Sequence, residues 1–412
     1  MEYKHISKES LQQKAVERIL KMRNMVLQWP TGLGKSKAAI DIINCIEALT
    51  PVRYKVLLVV AEIAHKNNWI EEFHKFNTVV PDSVVIETYA SLKNHKGEKY
   101  SLIVLDEGHH VGSDLRLDIL STIVADYVLV LSATFPDEIL YSLESIYGIF
   151  DRYRISLQEV IDWGILPKPD IYLIPMELDD KNYNQIIKEE WGSKKKREFF
   201  KVLYPDRWDY LSHKKKYPNV TLEISCTELQ KYLYITSKME FWRDHYFRTR
   251  SEMSKNKWLQ MGSARKRYLG ELKTSKAKEL LSLVESKRFV CFCASIEQAE
   301  ELGGNNSIHS KKSGALNTIE DFNSKKINSL FAVGMIQEGQ NLVDIDVGII
   351  VQLDGKERAF IQKTGRALRA KEPSIFILYY KGSRDEEYLE NALENINSEY
   401  VFKVLDLNEI KL

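Results

Sequence analysis

Gly32 and Gly34 flank Leu33 immediately before Lys35 and Ser36, and these few residues together have the chemistry of a phosphate cradle. Backbone N–H groups of a glycine-rich turn wrap phosphate oxygens. A lysine ammonium at its end reaches the β and γ oxygens, and a serine hydroxyl at the start of a helix ligates Mg²⁺. The run Trp29-Pro30-Thr31-Gly32-Leu33-Gly34-Lys35-Ser36 departs from the pattern G-x-x-x-x-G-K-[ST] only at its first position, where tryptophan replaces glycine. Taken alone, the match leaves open a surface turn that happens to contain Gly-Lys-Ser. A second group, Asp106-Glu107-Gly108-His109-His110, follows the apolar run Leu102 to Leu105. Two adjacent carboxylates at a strand tip suit hydrolysis of a nucleoside triphosphate: Asp106 holds Mg²⁺, directly or through water, and Glu107 orients and deprotonates the attacking water. An acidic strand-to-loop turn is the bland alternative.

Both groups need strands to present them. Val56 to Ala61, Leu102 to Asp106 and Val128 to Thr134 are short apolar runs that end in polar residues, with helical patterns such as Lys37 to Leu49 and Asn67 to Phe76 between them. Continuous apolar strands alternating with helices predict a parallel sheet covered on both faces, with functional residues at the strands' C-terminal ends. A further strand is expected at Asp170 to Pro175. From Lys181 to Leu272 the pattern turns charged and helical. Strand-like runs resume at Arg288 to Ala294, Ser329 to Val333, Gly348 to Leu353 and Ile375 to Tyr380, which reads as a second α/β domain.

Composition bounds the class. The chain has 412 residues, 44% hydrophobic and 28% charged, enough for two or three cored domains. Its four cysteines form no C-x-x-C pair, and Cys291 and Cys293 alternate on one face of a strand pattern. Reduced core thiols are expected rather than a metal site or a disulfide framework. The polar start and the lack of any membrane-spanning apolar run point to a cytoplasmic protein without membrane contact. The net charge of +1 hides a strong asymmetry: between Trp191 and Gly270 there are nineteen Lys and Arg against eight Asp and Glu, with four of the seven tryptophans. Such a segment suits phosphate contacts with base stacking. A solvated helical face over a small aromatic core is equally compatible with it.

With both groups in register, the chain resembles a superfamily 2 helicase or translocase of the DEAH/DExH-like kind, similar to type III restriction and DNA-repair motors. The Pro-Thr-Gly-Leu-Gly-Lys-Ser form of the loop is usual there, so Trp29 ceases to be an objection. Further motifs follow in order. Leu11 to Val16 resembles the segment whose glutamine contacts adenine, with Gln12 the better match. Val59-Val60-Ala61-Glu62, with Trp69 downstream, resembles motif Ia, Thr88 to Leu92 motif Ib, Ser132-Ala133-Thr134 motif III and Val290 to Ser295 motif IV. Glu338 to Asp346, containing Gly339, resembles motif V, and Gln362-Lys363-Thr364-Gly365-Arg366-Ala367-Leu368-Arg369 resembles motif VI. Two departures stand out: Asn341 replaces the aspartate more common in motif V, and motif II reads DEGH rather than DEAD.

The resemblance implies two tandem RecA-like domains, residues 1–168 and 273–412, each a mainly parallel sheet with helices on both faces. The strand at 170–175 is assigned to the second, and residues 181–272 form a basic, mostly helical insert. ATP and Mg²⁺ are the implied ligands, held by Gln12, Pro30, Thr31, Gly32, Leu33, Gly34, Lys35, Ser36, Asp106 and Gly339. Glu107 acts on water, while Gln362 senses the γ-phosphate. Arg366 and Arg369 neutralise charge building on that phosphate, a task suited to a planar and permanently charged guanidinium. Ser132 and Thr134 are expected to link motif II to the cleft, although their hydroxyls could simply cap a helix. Thr88, Lys194, Lys195, Lys196, Arg197, Lys214, Lys215 and Lys216 are the expected nucleic-acid contacts. Trp242 or Trp258 could serve as a stacking wedge, or belong to a core. DNA is favoured over RNA as the track of a monomeric motor. The residues after Ala370 are too few for a large accessory domain, so recruitment would fall to the insert or a protein partner. Duplex translocation without strand separation, RNA unwinding and a non-motor nucleotide switch are the competing functions.

Overall fold

A computed structural model describes residues 6–49, 54–77, 79–333, 342, 344–353, 373–393 and 396–410. The first domain is built on six parallel strands: β1 (Asn24–Gln28), β2 (Val56–Val60), β3 (Val84–Thr88), β4 (Lys99–Asp106), β5 (Val124–Ser132) and β6 (Asp151–Arg154). Their spatial order is β3-β2-β4-β5-β1-β6, with every pairing parallel. Alternate residues feed two cores. Met25, Leu27, Leu58, Val104 and Leu129 pack under α1 (Lys8–Met22), α2 (Lys35–Leu49) and α3 (Ile63–Asn77). Val26, Leu57, Ile103, Leu105 and Val130 pack under α4 (Asp114–Leu120) and α5 (Asp137–Tyr147). Burial on both faces explains why these strands read as unbroken apolar runs.

After α6 (Leu157–Asp162) the chain enters β7 (Asp170–Met176), which belongs to the second sheet. That sheet has seven parallel strands in the order β12-β13-β11-β14-β15-β7-β16. Its other members are β11 (Phe289–Phe292), β12 (Ser307–Ile308), β13 (Ser329–Ala332), β14 (Val347–Ile350), β15 (Ser374–Tyr380) and β16 (Val401–Lys403). Helices α10 (Thr274–Leu283) and α11 (Ile296–Gly303) cover one face, and α12 (Ala315–Asn323) and α13 (Arg384–Leu393) the other. The two domains touch where the Asn397 backbone N–H donates to Gln158 Oε1 at 2.7 Å and the Tyr400 hydroxyl to Asp162 Oδ1 at 3.3 Å.

Between β7 and α10 lies the insert, and its first half is a sheet where helix was expected. Strands β8 (Gln185–Trp191), β9 (Glu198–Leu203) and β10 (Val220–Cys226) form a mixed sheet in the order β8-β10-β9, with the short α7 (Arg207–Ser212) after β9. The reason is periodicity. Val220, Leu222, Ile224 and Cys226 alternate strictly into a small core, while Lys188, Glu223 and Lys201 form a cross-strand row on the open face. Dense charge masked the period of two. The second half is all helical: α8 (Glu228–Thr249) and α9 (Glu252–Leu272) form an antiparallel hairpin, turned at Arg250 in the left-handed region with φ 53°. Its base packs Tyr232, Tyr268 and Leu269 against Tyr380.

All four cysteines are free thiols. The Cys291 and Cys293 sulfurs lie 3.9 Å apart, on the same side of the chain. No described helix is long and apolar enough to cross a membrane.

Candidate active site

The glycine-rich loop caps β1 and opens α2, the strand-to-helix placement that a phosphate cradle requires. Gly32 and Gly34 have φ of 94° and 91°, which a residue with a Cβ adopts only under strain. Space adds a second constraint. A Cβ on Gly34 would stand 2.5 Å from Nε2 of Gln12, so the buried Gln12 amide lies directly against the loop. Lys35 Nζ donates to the carbonyl of Trp29 at 3.0 Å, holding the ammonium over the turn. Trp29 itself is fully buried, edge-on to Tyr153 with ring centroids 5.4 Å apart. It anchors the loop on the sheet where the general pattern has a first glycine. Pro30 and Leu33 are buried, and Thr31 and Ser36 half-buried.

Asp106 ends β4 two strands away from β1, across β5. Its Oδ2 accepts the Trp69 indole N–H at 2.8 Å and its Oδ1 the backbone N–H of Glu107 at 3.0 Å. Its carbonyl accepts the Tyr89 hydroxyl at 2.9 Å. Burial, reinforced by the charge of Glu107, pushes the Asp106 carboxyl up to about 6, against the pull of Trp69, His65 and Lys35. A carboxylate held against its own charge is one that a cation would relieve. Glu107 takes the left-handed conformation, φ 47° and ψ 53°, uncommon for a residue with a side chain. Its Oε2 is buried without a hydrogen bond to any described residue and lies 3.5 Å from His109 Nδ1. An unsatisfied carboxylate oxygen of this kind is chemically able to accept a proton.

Among the described residues no group of three or more His, Cys, Asp or Glu converges on a metal position. A hard cation held by Asp106, the Ser36 hydroxyl and phosphate oxygens needs no such group, because Mg²⁺ keeps several waters and leans on one or two carboxylates. The donor set and the orphaned Glu107 oxygen therefore fit a nucleoside triphosphate with Mg²⁺.

Ser132 is fully buried and its hydroxyl donates to the Thr134 carbonyl, while its own carbonyl accepts the Trp29 N–H at 3.2 Å. This ties Ser132-Ala133-Thr134 to the loop on one side. On the other, Thr134 lines a cavity of about 40 Å³ with Pro30, Arg154 and, from the second domain, Ala392 and Ile396. Thr88 is buried, its hydroxyl 3.1 Å from that of Ser91. Gly339, Gln362, Arg366 and Arg369 lie outside the described residues. The two lysine runs, distant in sequence, meet at one end of the insert's sheet: Val220, which follows Lys214 to Lys216, pairs with Trp191 and with Glu198 on either side of Lys194 to Lys196. Those six lysines are exposed, whereas Arg197 is committed to Glu190 and to the Gly192 carbonyl. Trp242 and Trp258 join two neighbouring aromatic groups near the hairpin turn, with Phe241 and His245 and with Tyr246 and Phe247 respectively. Sequence reasoning missed the part played by Trp69 and Tyr89, which brace motif II. In the sequence each is only part of a motif, and nothing in the spacing reveals the contact.

Two parallel sheets in tandem, the first with a glycine-rich loop and a carboxylate pair at its strand tips, define a two-domain protein of tandem RecA-like architecture. Residues 5–137 match the model for the type III restriction enzyme res subunit, and residues 272–371 that for the helicase conserved C-terminal domain. These matches place the chain among the superfamily 2 helicases and translocases, of the type III restriction and XPB-like kind. It is 21% identical over 395 residues to the DNA 3'-5' translocase XPB2 of Sulfurisphaera tokodaii, covering 91% of this chain and 82% of the relative. Among solved structures, the Pyrococcus furiosus Hef helicase domain superposes with a TM-score of 0.52 at 15% identity, covering 93% of this chain and 97% of that one. S. cerevisiae Dbp5 bound to RNA and ADP BeF3 superposes with a TM-score of 0.57 at 13% identity, covering 95% and 89%. Domains of this kind imply an ATP hydrolase.

Proposed function

We propose that this protein is a DNA-stimulated ATPase that turns closure of its two domains into movement along DNA and separation of its strands. The observation that carries the proposal is the pairing, across one sheet, of the Lys35 loop with Asp106 and the unsatisfied Glu107 oxygen. Lys35 and the loop N–H groups hold the triphosphate, and Gln12 lies where an adenine edge would meet the loop. Glu107 Oε2 takes a proton from the attacking water. Mg²⁺, held by Asp106 and Ser36, would supply neutralisation of phosphate charge. For Arg366, Arg369, Gln362 and Gly339, which lie outside the described residues, the motif resemblance supports roles in neutralising phosphate charge and contacting nucleotide. In this reading Thr134 passes domain closure to the loop, a role supported by the cavity it lines together with Ala392 of α13.

The basic insert supports a nucleic-acid track, and the name of the XPB2 relative supports DNA. That name also favours a second reading, in which the motor moves on duplex without separating strands. The deciding measurement is steady-state ATPase with single-stranded, duplex and forked DNA and RNA, followed by strand- and triplex-displacement assays. Lys35→Ala and Glu107→Gln are expected to abolish hydrolysis and leave DNA binding intact. Strong residual DNA-stimulated turnover in Glu107→Gln would remove Glu107 from its role.

A further inference from the structure

Arg207, the first residue of α7, is only 8% exposed. Its guanidinium carbon lies 4.1 Å from the ring centroid of Tyr204, 4.8 Å from that of Trp208 and 5.5 Å from that of Tyr234. Its Nε is buried without a hydrogen-bond partner, and the side chain forms no hydrogen bond or ion pair with any described residue. Glu189, on the neighbouring β8, is taken by the Tyr234 hydroxyl at 2.5 Å and by Lys238 at 3.1 Å. A buried cation without a counter-ion is costly, and aromatic faces repay only part of that cost. Beside it, Trp208 is 60% exposed, an unusual position for an indole that has a core of its own to join.

We propose that Arg207 and Trp208 form a nucleotide subsite on the insert, the guanidinium taking one backbone phosphate of a single strand and the indole stacking the adjoining base. The subsite rests on the reading of the chain as a nucleic-acid motor and gives the insert a defined grip. A guanidinium already oriented between ring planes presents its fork without further ordering. An exposed indole accepts any base, because stacking is sequence-tolerant. The surroundings match a long polyanion rather than an isolated acid. Residues 181–227 hold eleven Lys and Arg against six Asp and Glu, and the two lysine runs stand at the far end of β10, roughly 20 Å from the Arg207 end at ~3.3 Å per residue. An acidic peptide could meet the arginine but would leave the indole face unused.

The test uses the full chain without nucleotide and a fluorescein-labelled oligothymidylate of about 20 nucleotides, read by anisotropy over a salt series. Arg207→Gln should weaken binding about 5- to 10-fold and reduce the salt slope by ~0.7, the loss of one single-strand phosphate contact. Trp208→Ala should weaken it at least ~5-fold with the slope unchanged, and should bind an abasic strand of the same length as the wild type does. Arg207→Lys should keep the slope. If Arg207→Gln unfolds the insert, by near-ultraviolet circular dichroism, the exposed Trp208 carries the decision. Wild-type affinity in Trp208→Ala, or equal losses on abasic and thymidylate strands, would overturn the subsite and leave the motor intact. A wild-type chain that binds no nucleic acid would overturn both.

Discussion

Gly108 is the residue that makes motif II read DEGH, and its neighbourhood shows why. A Cβ built on it would stand 2.2 Å from Val130 Cγ1 and 3.2 Å from Phe135 Cε2. Carbon atoms pack at ~3.5–4.0 Å, so Gly108→Ala brings two methyl-sized groups about 1.5 Å too close. Val130 is fully buried in β5, between the loop's strand and motif II's strand, and has nowhere to retreat. Overpacking of this kind costs about 1–3 kcal/mol, which at about 2–4 °C per kcal/mol for a domain of this size lowers the first domain's melting temperature by about 2–12 °C. The backbone that yields is that of the adjoining Glu107, and an error near 1 Å in a water-activating carboxylate costs turnover on the order of 10- to 100-fold. Val130→Ala alone opens a cavity worth about 2 kcal/mol. In the double variant the new methyl occupies the space that the valine gave up, so the two losses must not add. The assays are a double-mutant cycle by thermal or denaturant melting and steady-state ATPase. The expected coupling is about 2 kcal/mol, with at least a ~10-fold recovery of turnover over Gly108→Ala. Additive losses, or a Gly108→Ala protein that melts and turns over as the wild type does, would refute the steric account.

Trp69→Phe removes the indole donor to Asp106 while keeping the packing against Phe73, and should lower ATP turnover about 10-fold with little change in melting temperature. Unchanged turnover would reduce that bond to decoration. Arg369→Ala should slow turnover ~10³-fold at nearly unchanged ATP affinity, measured by single-turnover hydrolysis beside nucleotide titration; full activity would move the finger to Arg366. Lys273→Met strands a buried carboxylate and should cost about 3–5 kcal/mol by denaturant melting, most of which Lys273→Met/Asp385→Leu recovers. A double variant no better than the single would show that the pair itself carries the stability.

What the sequence revealed, and what it hid, follows from which forces write themselves into local pattern. Strands buried on both faces leave unbroken apolar runs, so β2, β4 and β5 and the residues at their tips were legible. So was the loop, because φ near 90° at Gly32 and Gly34 demands glycine. The insert's sheet was not. Its core is one-sided and small, and the charged residues on its open face outweigh a seven-residue alternation such as Val220 to Cys226. Contacts between elements were equally hidden. Nothing in the spacing of Trp69 and Asp106 reveals a bond between α3 and β4, and the meeting of two lysine runs depends on the register of β10 with both neighbours.

How the insert is joined to the motor bears on what it can do. A flexible tether would let it bind DNA but not carry load. The junction is instead a sealed polar knot: Lys273, at the end of α9, is fully buried and donates to Asp385 Oδ2 at 2.6 Å and to Gln352 Oε1 at 2.9 Å, and Gln352 Nε2 donates to Asp385 Oδ1 at 2.6 Å. Burial draws the Lys273 ammonium downward from its usual range, against the pull of Asp385. Apolar residues would hold the same space at less cost in desolvation, but they slide. A closed ring of directional bonds has one geometry, because every displacement leaves a buried charge short of a partner. Gln352 lies two residues past β14, immediately before the segment that carries Gln362, Arg366 and Arg369, and Asp385 is in the first turn of α13, whose far end meets the first domain's cavity at Ala392. The end of the hairpin, the strand leading to the arginines and the helix facing Thr134 are thus fixed to one another through three side chains. Under the proposed function, a rotation of the second domain on closure would carry the base of the helical hairpin with it, because the two share this buried ring of contacts.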